Sequence, residues 1–421
     1  MAHTQWVIHF LHFGGLQTGR LPNNVKGCDM MNLRENLLAA VEEHRGKAMD
    51  MARKLFDHPE IALHEAESCQ LVAQYLREAG FQVEMNVAGV PYSFKATKQR
   101  GEGPRIAILA EYDALPGLGH ACGHHLIAAM SATAGIALAR ALEVYPGEVT
   151  VFGTPAEETG DGKADMTDQG VFDGYDAALE VHPNNTTVIY PPFIGIGGND
   201  YTFTGKTSHA GVSPFNAINA CDAVVLFFSA IGLLRQQLVD GTRVHGIIQE
   251  AGTAANAIPG LSRARIEFRS DDTAYFEDLV ERVNMCAEGA ALATGCTVEY
   301  HPFEPTCYNL DHSTVIGERI LAHFRELGVD NIALDSKDRG SSDIGNVSRI
   351  VPCIQPMLCI TEDCPFTIHT EEFRDRTLLP FAQDRAMIGA KALALTGLDL
   401  LSDPALVRRA REELEARKSG K

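Results

Sequence analysis

The chain has 421 residues, 45% hydrophobic and 22% charged, a composition that folds and speaks against a disordered chain. Thirty-six lysines and arginines stand against 55 aspartates and glutamates, and the formal net charge of −19 speaks against nucleic acid and anionic membrane as partners. Ten scattered cysteines without disulfide-scaffold spacing point to a reducing cytoplasm, and there is no run of about 18 apolar residues from which to expect a spanning helix.

Residues 6–13 are apolar but short, contain histidines and lack a preceding basic region, so they make a poor signal peptide. Native translation is expected to start at Met30 or Met31, which leaves residues 1–30 as an extension. Helical spacing covers 32–55 and 66–79, where Gly80 stops it. A strand is expected at 81–90, then a glycine-rich turn at 101–104 and a continuously apolar strand at 105–110. A helix of small residues over 126–142 precedes strands at 148–153 and 177–181, the last running into His182 and Pro183. Strands alternating with helices predict an α/β fold with a mostly parallel sheet. Glu111 and Asp113, then Glu157 and Glu158, then His182 each follow a buried strand, and the carboxyl edge of such a sheet gathers its loops.

Beyond Pro191 the pattern changes to a strand at 199–205, a helix at 216–238, strands at 243–250 and 261–270, a helix at 274–293 and a strand at 296–301. This β-α-β-β-α-β order is that of a compact ferredoxin-like domain, here inserted into the first one. A helix at 313–327, a glycine and serine loop at 339–345, a strand at 351–359 and His369 return to the larger unit. Helical sequence from Asp384 and a charged tail end the chain. The expected division is 31–194 and 305–402 for the catalytic domain, 195–304 for the insertion and 403–421 for the tail.

Cys122 and His124, in the hexapeptide His-Ala-Cys-Gly-His-His at 120–125, are candidate metal ligands together with Glu158, His182 and His369. A mixed thiolate, imidazole and carboxylate set suits zinc, manganese, cobalt or nickel better than calcium or magnesium. Five ligands exceed what one catalytic ion needs if a position stays open for water, so two ions sharing a ligand is the more economical account. The Cys-Gly-His spacing alone is weak. The clustering of His120, His124 and His125 after an acidic strand end strengthens it, because burying so many titratable groups without an ion is costly. Glu157 and Glu158 follow an apolar strand and a proline turn, and neighbours cannot both point the same way. Glu158 is therefore read as ligand and Glu157 as general base and acid. Asp113 either caps its loop or fixes an imidazole ligand from behind.

The segment 110–116, Ala-Glu-Tyr-Asp-Ala-Leu-Pro, running into Cys122 and His124, resembles the metallopeptidase-20 family, as do Pro155 to Glu158, His182-Pro183, the Thr-Ser-His-Ala-Gly run at 207–211 and the late Ile368-His369. The resemblance covers residues 32–397 and lies closest to the p-aminobenzoyl-glutamate hydrolase and β-alanyl-lysine dipeptidase branch, through Glu111-Tyr112-Asp113, Gly119-His120 and the 341–348 segment. His125 departs from that branch, which often has asparagine there. The resemblance implies two divalent transition-metal ions (Zn, Mn, Co or Ni) bridged at Cys122, one completed by Glu158 and His369 and the other by His124 and His182. It also implies a zinc-peptidase-like fold whose insertion is a lid and dimerisation domain. From that lid His209 would steady the oxyanion in the partner subunit, and Asn256 and Arg269 would bind a substrate with a free carboxylate.

The activity implied is cleavage of the amide bond of a small N-acyl, N-aroyl or unusual dipeptide substrate by a cytoplasmic homodimer. An N-acyl amino acid deacylase is the rival within enzymes. A non-catalytic metal or small-acid binder and a hydrolase using Cys122 as nucleophile are rivals of other kinds.

Overall fold

A computed structural model describes residues 27–362 and 365–419; the expectations for residues 1–26 lie outside them. Helix α1 (Gly27–Asp57) runs without a break through Met30 and Met31, and α2 (Ala66–Glu78) follows. Next come β1 (Gln82–Met85), β2 (Phe94–Arg100), β3 (Arg105–Ala110), α3 (His124–Leu138), β4 (Gly147–Gly153), α4 (Gly162–Asp168), β5 (Ala177–Leu179), β6 (His182–Asn184) and β7 (Thr187–Val188). The small side chains of α3 explain its place: all fifteen of its residues are buried. It lies between α1, the long C-terminal helix and the sheet, and a methyl group on Gly135 would stand 2.3 Å from Val151 of β4.

The insertion contributes β8 (Gly195–Thr204), β9 (Ser208–His209), α5 (Ala220–Leu234), β10 (Arg243–Glu250), β11 (Ala257–Ile258), β12 (Leu261–Ser270), α6 (Thr273–Thr294) and β13 (Thr297–Cys307). Its sheet has the order β10-β12-β8-β13, all antiparallel, and α5 and α6 close a separate core around Phe203, Phe227 and Phe268. Asn219 and Asp272 cap the two helices, each accepting a backbone N–H. Strands β9 and β11 form a ribbon of their own. The chain ends with α7 (Thr314–Glu326), β14 (Ile332–Ala333), α8 (Ile344–Ser348), β15 (Cys353–Ile354), β16 (Met357–Cys359), α9 (Glu371–Arg376), α10 (Pro380–Ser402) and α11 (Pro404–Lys418).

The main sheet has the order β1-β2-β4-β3-β5-β15, parallel from β4 to β15 and antiparallel at β1 and β2. It is therefore mixed, through a strand, β2, that sequence patterning does not mark. Phe94 and Ala96 are buried, but Lys95 and Lys98 are half-buried and the strand ends exposed at Gln99 and Arg100, a pattern that resembles a polar loop. The strand expected at 351–359 splits at Gln355 and Pro356. β15 stays in the main sheet, and β16 joins a small second sheet of order β14-β7-β16-β6, since proline lacks the N–H that a continuing ladder needs.

Among the described residues two helical segments are long and apolar enough to cross a membrane by length and composition, His124–Glu143 and Ala220–Gln237. The first is 89% buried inside the protein, as a core helix is. The second, on the insertion, is 28% buried and exposes Val225, Leu226 and Leu233.

Candidate metal centre

The parallel strands deliver their loops to one edge. Glu111 and Asp113 follow β3, Glu157 and Glu158 follow β4 after the turn at Pro155, and His182 follows β5. Cys122 precedes α3, and His369 is drawn to it by a backbone bond from its N–H to the carbonyl of Ala121, 2.9 Å. Two residues that are not glycine adopt positive φ here, Ala156 (56°) and His369 (65°), a conformation tolerated where surrounding structure holds it. Ala156 is held by the carboxylate of Glu65, which accepts its N–H at 2.7 Å; burial pushes that carboxyl up to about 7.

The sulfur of Cys122 sits between two imidazoles, 3.5 Å from Nε2 of His182 and 3.3 Å from Nε2 of His369. His369 lies 3.6 Å from Glu158, and Nε2 of His124 lies 3.8 Å from both Glu157 and Glu158. Two triads of donor atoms, Cys122/His124/His182 and Cys122/Glu158/His369, each fall within 4.8 Å and share the thiolate. Two of the imidazoles are oriented from behind. Nδ1 of His124 faces the carbonyl and the carboxylate of Asp113, both at 3.0 Å, and Nδ1 of His182 faces the carbonyl of Pro183 at 2.7 Å. The second oxygen of Asp113 accepts the N–H of Glu158 at 3.0 Å, so this one aspartate orients two donors.

The electrostatics call for cations. Burial pushes the Cys122 thiol well above its usual range, so a thiolate needs positive charge against it. Burial also opposes a charged His124, yet Cys122, Asp113 and Glu111 outweigh it and raise that imidazole well above its usual range. Burial holds His182 down at about 4, which leaves a neutral ring ready to ligate. His124 Nε2 and Glu158 Oε1 are buried without a hydrogen-bond partner. These residues fit a dinuclear centre for divalent transition metals, with cysteine, histidine and carboxylate donors.

Gly123 joins Cys122 to His124 at φ 91°, where a methyl group would stand 3.1 Å from two carbons of Pro183. Gly123→Ala is expected to cost about 1–2 kcal/mol, the price of a left-handed residue with a side chain. A lowered urea midpoint with an unchanged m value checks it.

The expected lid residues lie elsewhere in the chain's fold. His209 is exposed at the end of β9, and the ribbon sets it opposite Ala257, with Ala210 N–H bonded to the carbonyl of Asn256 at 2.9 Å. Arg269 on β12 pairs with Glu267 at 2.8 Å and keeps one third of its side chain exposed. His120 and His125 are buried against each other, with ring centres 5.0 Å apart, and Phe56 lies 5.3 Å from His125; neither joins the donor groups around the sulfur. Sequence reasoning missed the buried Lys163, which contacts Glu111 and Asp343, and Glu65 beneath the Glu157 loop. A lysine in an acidic loop beside Asp161 and Asp165 carries no signal of burial.

The family profile described as peptidase family M20/M25/M40 matches residues 107–383. A Xaa-Arg dipeptidase of Mus musculus is 33% identical, over 94% of this chain and 95% of its own length. A p-aminobenzoyl-glutamate hydrolase chain of Escherichia coli (strain K12) is 29% identical, over 89% and 93%. Among solved structures, an aminobenzoyl-glutamate utilization protein from Klebsiella pneumoniae superposes with a TM-score of 0.65 at 19% identity, covering 85% of this chain and 97% of that one. A dinuclear metal binding peptidase of Bacillus subtilis gives 0.62 at 20%, covering 84% and 99%; both show a shared fold.

Proposed function

The chain belongs to the peptidase family M20/M25/M40, and from that premise we propose that Glu157, standing beside the Cys122 centre, cuts a small amide whose amino side is an amino acid with a free carboxylate. The protein is a metal-dependent amidohydrolase that acts on small amide or dipeptide substrates through a metal-activated water. When bound, the two ions supply a water of lowered pKa and polarise the carbonyl. The observation that carries the reading is a spare carboxylate. Cys122, His124, Glu158, His182 and His369 fill the two triads that share the sulfur, and Glu157 stands 3.8 Å from His124 outside both.

Burial, then the charge of Glu111, push Glu157 well above the usual carboxylate range, which suits a group that takes a proton and returns it. Glu157 accepts the proton of the attacking water and delivers it to the departing amine. Asp113 holds His124 and the backbone of Glu158 in place meanwhile. His209 of a second subunit donates to the developing oxyanion, and Asn256 and Arg269 receive the substrate carboxylate, Arg269 exchanging Glu267 for it.

The second copy docks on the insertion, residues 195–304. Its edge strand β10 exposes Ile247 and Ile248, and α5 exposes Val225, Leu226 and Leu233, an apolar surface suited to an isologous dimer. Neither nucleic acid nor membrane is a partner on this reading, given the net charge of −19. Among the described residues Cys69, Cys122, Cys221, Cys286, Cys296, Cys307 and Cys353 are free thiols, which supports a reducing cytoplasm.

The names of the relatives, a dipeptidase for Xaa-Arg and a hydrolase for p-aminobenzoyl-glutamate, both describe an amide on the amino group of an amino acid. The acidic surface favours dipeptides with a cationic side chain on that residue. A panel of β-alanyl, γ-aminobutyryl, aroyl and acetyl amino acids, run with manganese and then zinc, tests this. The expected result is release of the free amino acid, with kcat/KM for β-alanyl-arginine at least about 10-fold above acetyl-arginine. Preference for the acetyl substrates makes it an aminoacylase. No cleavage by protein carrying two ions overturns the hydrolase reading.

A further inference from the structure

The segment at 341–348 supplies no donor to the metal centre, yet two of its side chains are buried, Asp343 entirely and Asn346 nearly so. Asn346, in α8, lies against the strand by which the chain leaves the insertion. Its side-chain amide donates to the carbonyl of Thr306 at 2.9 Å and accepts the N–H of Tyr308 at 3.0 Å. These two groups lie on one edge of an extended strand, where a neighbouring strand would otherwise serve them. The ladder between β13 and β8 gives way just there, breaking register after Pro302 and again after Glu304. A methyl group on Gly345 would stand 1.8 Å from the carbonyl of Tyr308, so only glycine lets α8 lie this close to the departing strand.

Asp343, three residues earlier, grips the other side. One of its oxygens accepts the backbone N–H of Lys163 at 2.6 Å, and the other lies 2.5 Å from the ammonium of the same residue. That ammonium also reaches Glu111, directly after β3, at 2.6 Å. Lys163 is the stem of the turn that carries Glu157. Within the turn the N–H of Gly160 bonds the carbonyl of Glu157 at 2.9 Å and the N–H of Asp161 that of Ala156 at 3.1 Å, while a methyl group on Gly162 would stand 1.7 Å from the carbonyl of Pro155. The turn is therefore closed on itself and its stem is fastened to α8. Breaking the Lys163–Asp343 pair is costly, since either partner alone is left as a buried charge.

We propose that Asn346 and Lys163 are positioning residues for the hydrolysis: joined through Asp343, they tie the strand leaving the insertion to the turn that carries Glu157, so that the base keeps one spacing from the residues that hold the substrate. This rests on the reading of Glu157 as base and of the insertion as the side that receives the substrate carboxylate, and it extends that reading to residues that touch neither substrate nor metal. Proton transfer demands such a tie, because a misplacement of about 1 Å caused far from the chemistry can cost about 10²-fold in rate.

The test compares manganese-loaded wild type, Asn346→Ala, Lys163→Met and the double variant by steady-state kinetics, elemental analysis and amide hydrogen exchange. Asn346→Ala is expected to lower kcat by at least about 10-fold with KM changed less than about 3-fold and both ions retained. Its exchange is expected to rise at least about 10-fold over residues 155–163, whose N–H groups at Ala156, Glu158, Gly160, Asp161 and Lys163 are hydrogen-bonded, and to stay unchanged in the buried helix α3. The double variant is expected to be no slower than the slower single variant, within about 3-fold, because both cut one route. A smaller fall in kcat, unchanged exchange at 155–163, or losses that multiply in the double variant overturns the proposal. Should Lys163→Met fail to fold, Asp343→Asn takes its place, since asparagine keeps an acceptor for the N–H of Lys163 and removes only the charge. Wild-type protein that holds two ions and cleaves nothing brings down the hydrolase reading itself, and the exchange comparison, which needs no turnover, still decides whether the tie exists.

Discussion

Glu157→Gln is expected to lower kcat by at least about 100-fold while both ions stay bound, because positioned proton transfer is worth about 10²- to 10⁴-fold. Glutamine keeps the shape of the side chain and removes a carboxylate that stands beside the donors without completing either triad around the sulfur. It also removes a group that burial and Glu111 hold well above the usual carboxylate range, so the variant is expected to fold at least as stably as the parent. Steady-state kinetics with elemental analysis on the same sample check this. Residual activity above about one-hundredth of the parent, with metal retained, removes Glu157 from the proton path. Chelation reaches the same floor by another route: the stripped protein is inactive and recovers on adding manganese or zinc. A hydrolase using Cys122 as nucleophile would survive chelation, and the sulfur, wedged between His182 and His369 at 3.5 and 3.3 Å, argues for a ligand.

The strand ends are legible in the sequence because their signal is local. A run such as Arg105–Ala110 with five buried residues, followed at once by Glu111 and Asp113, states both a covered strand and a polar loop at its carboxyl edge. Repeated after β4 and β5, that pattern brings Cys122, His124, Glu158 and His182 together from residue order alone. His369 enters only through its place in the loop after a late strand, since nothing in its neighbours marks it as folding back on Ala121. Lys163 and Asp343 are out of reach for a different reason. Their burial follows from a tertiary match, the close approach of Gly162 to Pro155, and 180 residues of chain separate the two partners. The strand β2 is hidden because its lysines lie over aromatic rings, as Lys98 does over Phe81 at 5.0 Å, and look like loop residues when read singly.

His209→Ala is expected to lower kcat by about 10²- to 10³-fold, the usual loss on removing one oxyanion donor, with little change in stability. The stability half follows from its place: His209 is exposed, and its ring accepts only the N–H of Gly211, 3.1 Å away, within its own turn. The catalytic half follows from what the turn presents. Ser213 N–H bonds the carbonyl of His209 and the hydroxyl of Ser208 bonds the carbonyl of Ser213, which closes a tight, pre-shaped tip carrying an exposed Val212 and Phe215. An apolar tip of this kind needs a surface to enter, and in a two-fold dimer that surface belongs to the other subunit. Mixing decides whether it does. When Glu157→Gln and His209→Ala chains are unfolded together and re-formed, half of the dimers are mixed. In each, the chain with intact Glu157 faces intact His209, so about a quarter of the parent activity per chain returns. Separately re-formed variants give none of it. A mixture no more active than the two parents' average places His209 in its own subunit's chemistry or outside the chemistry altogether.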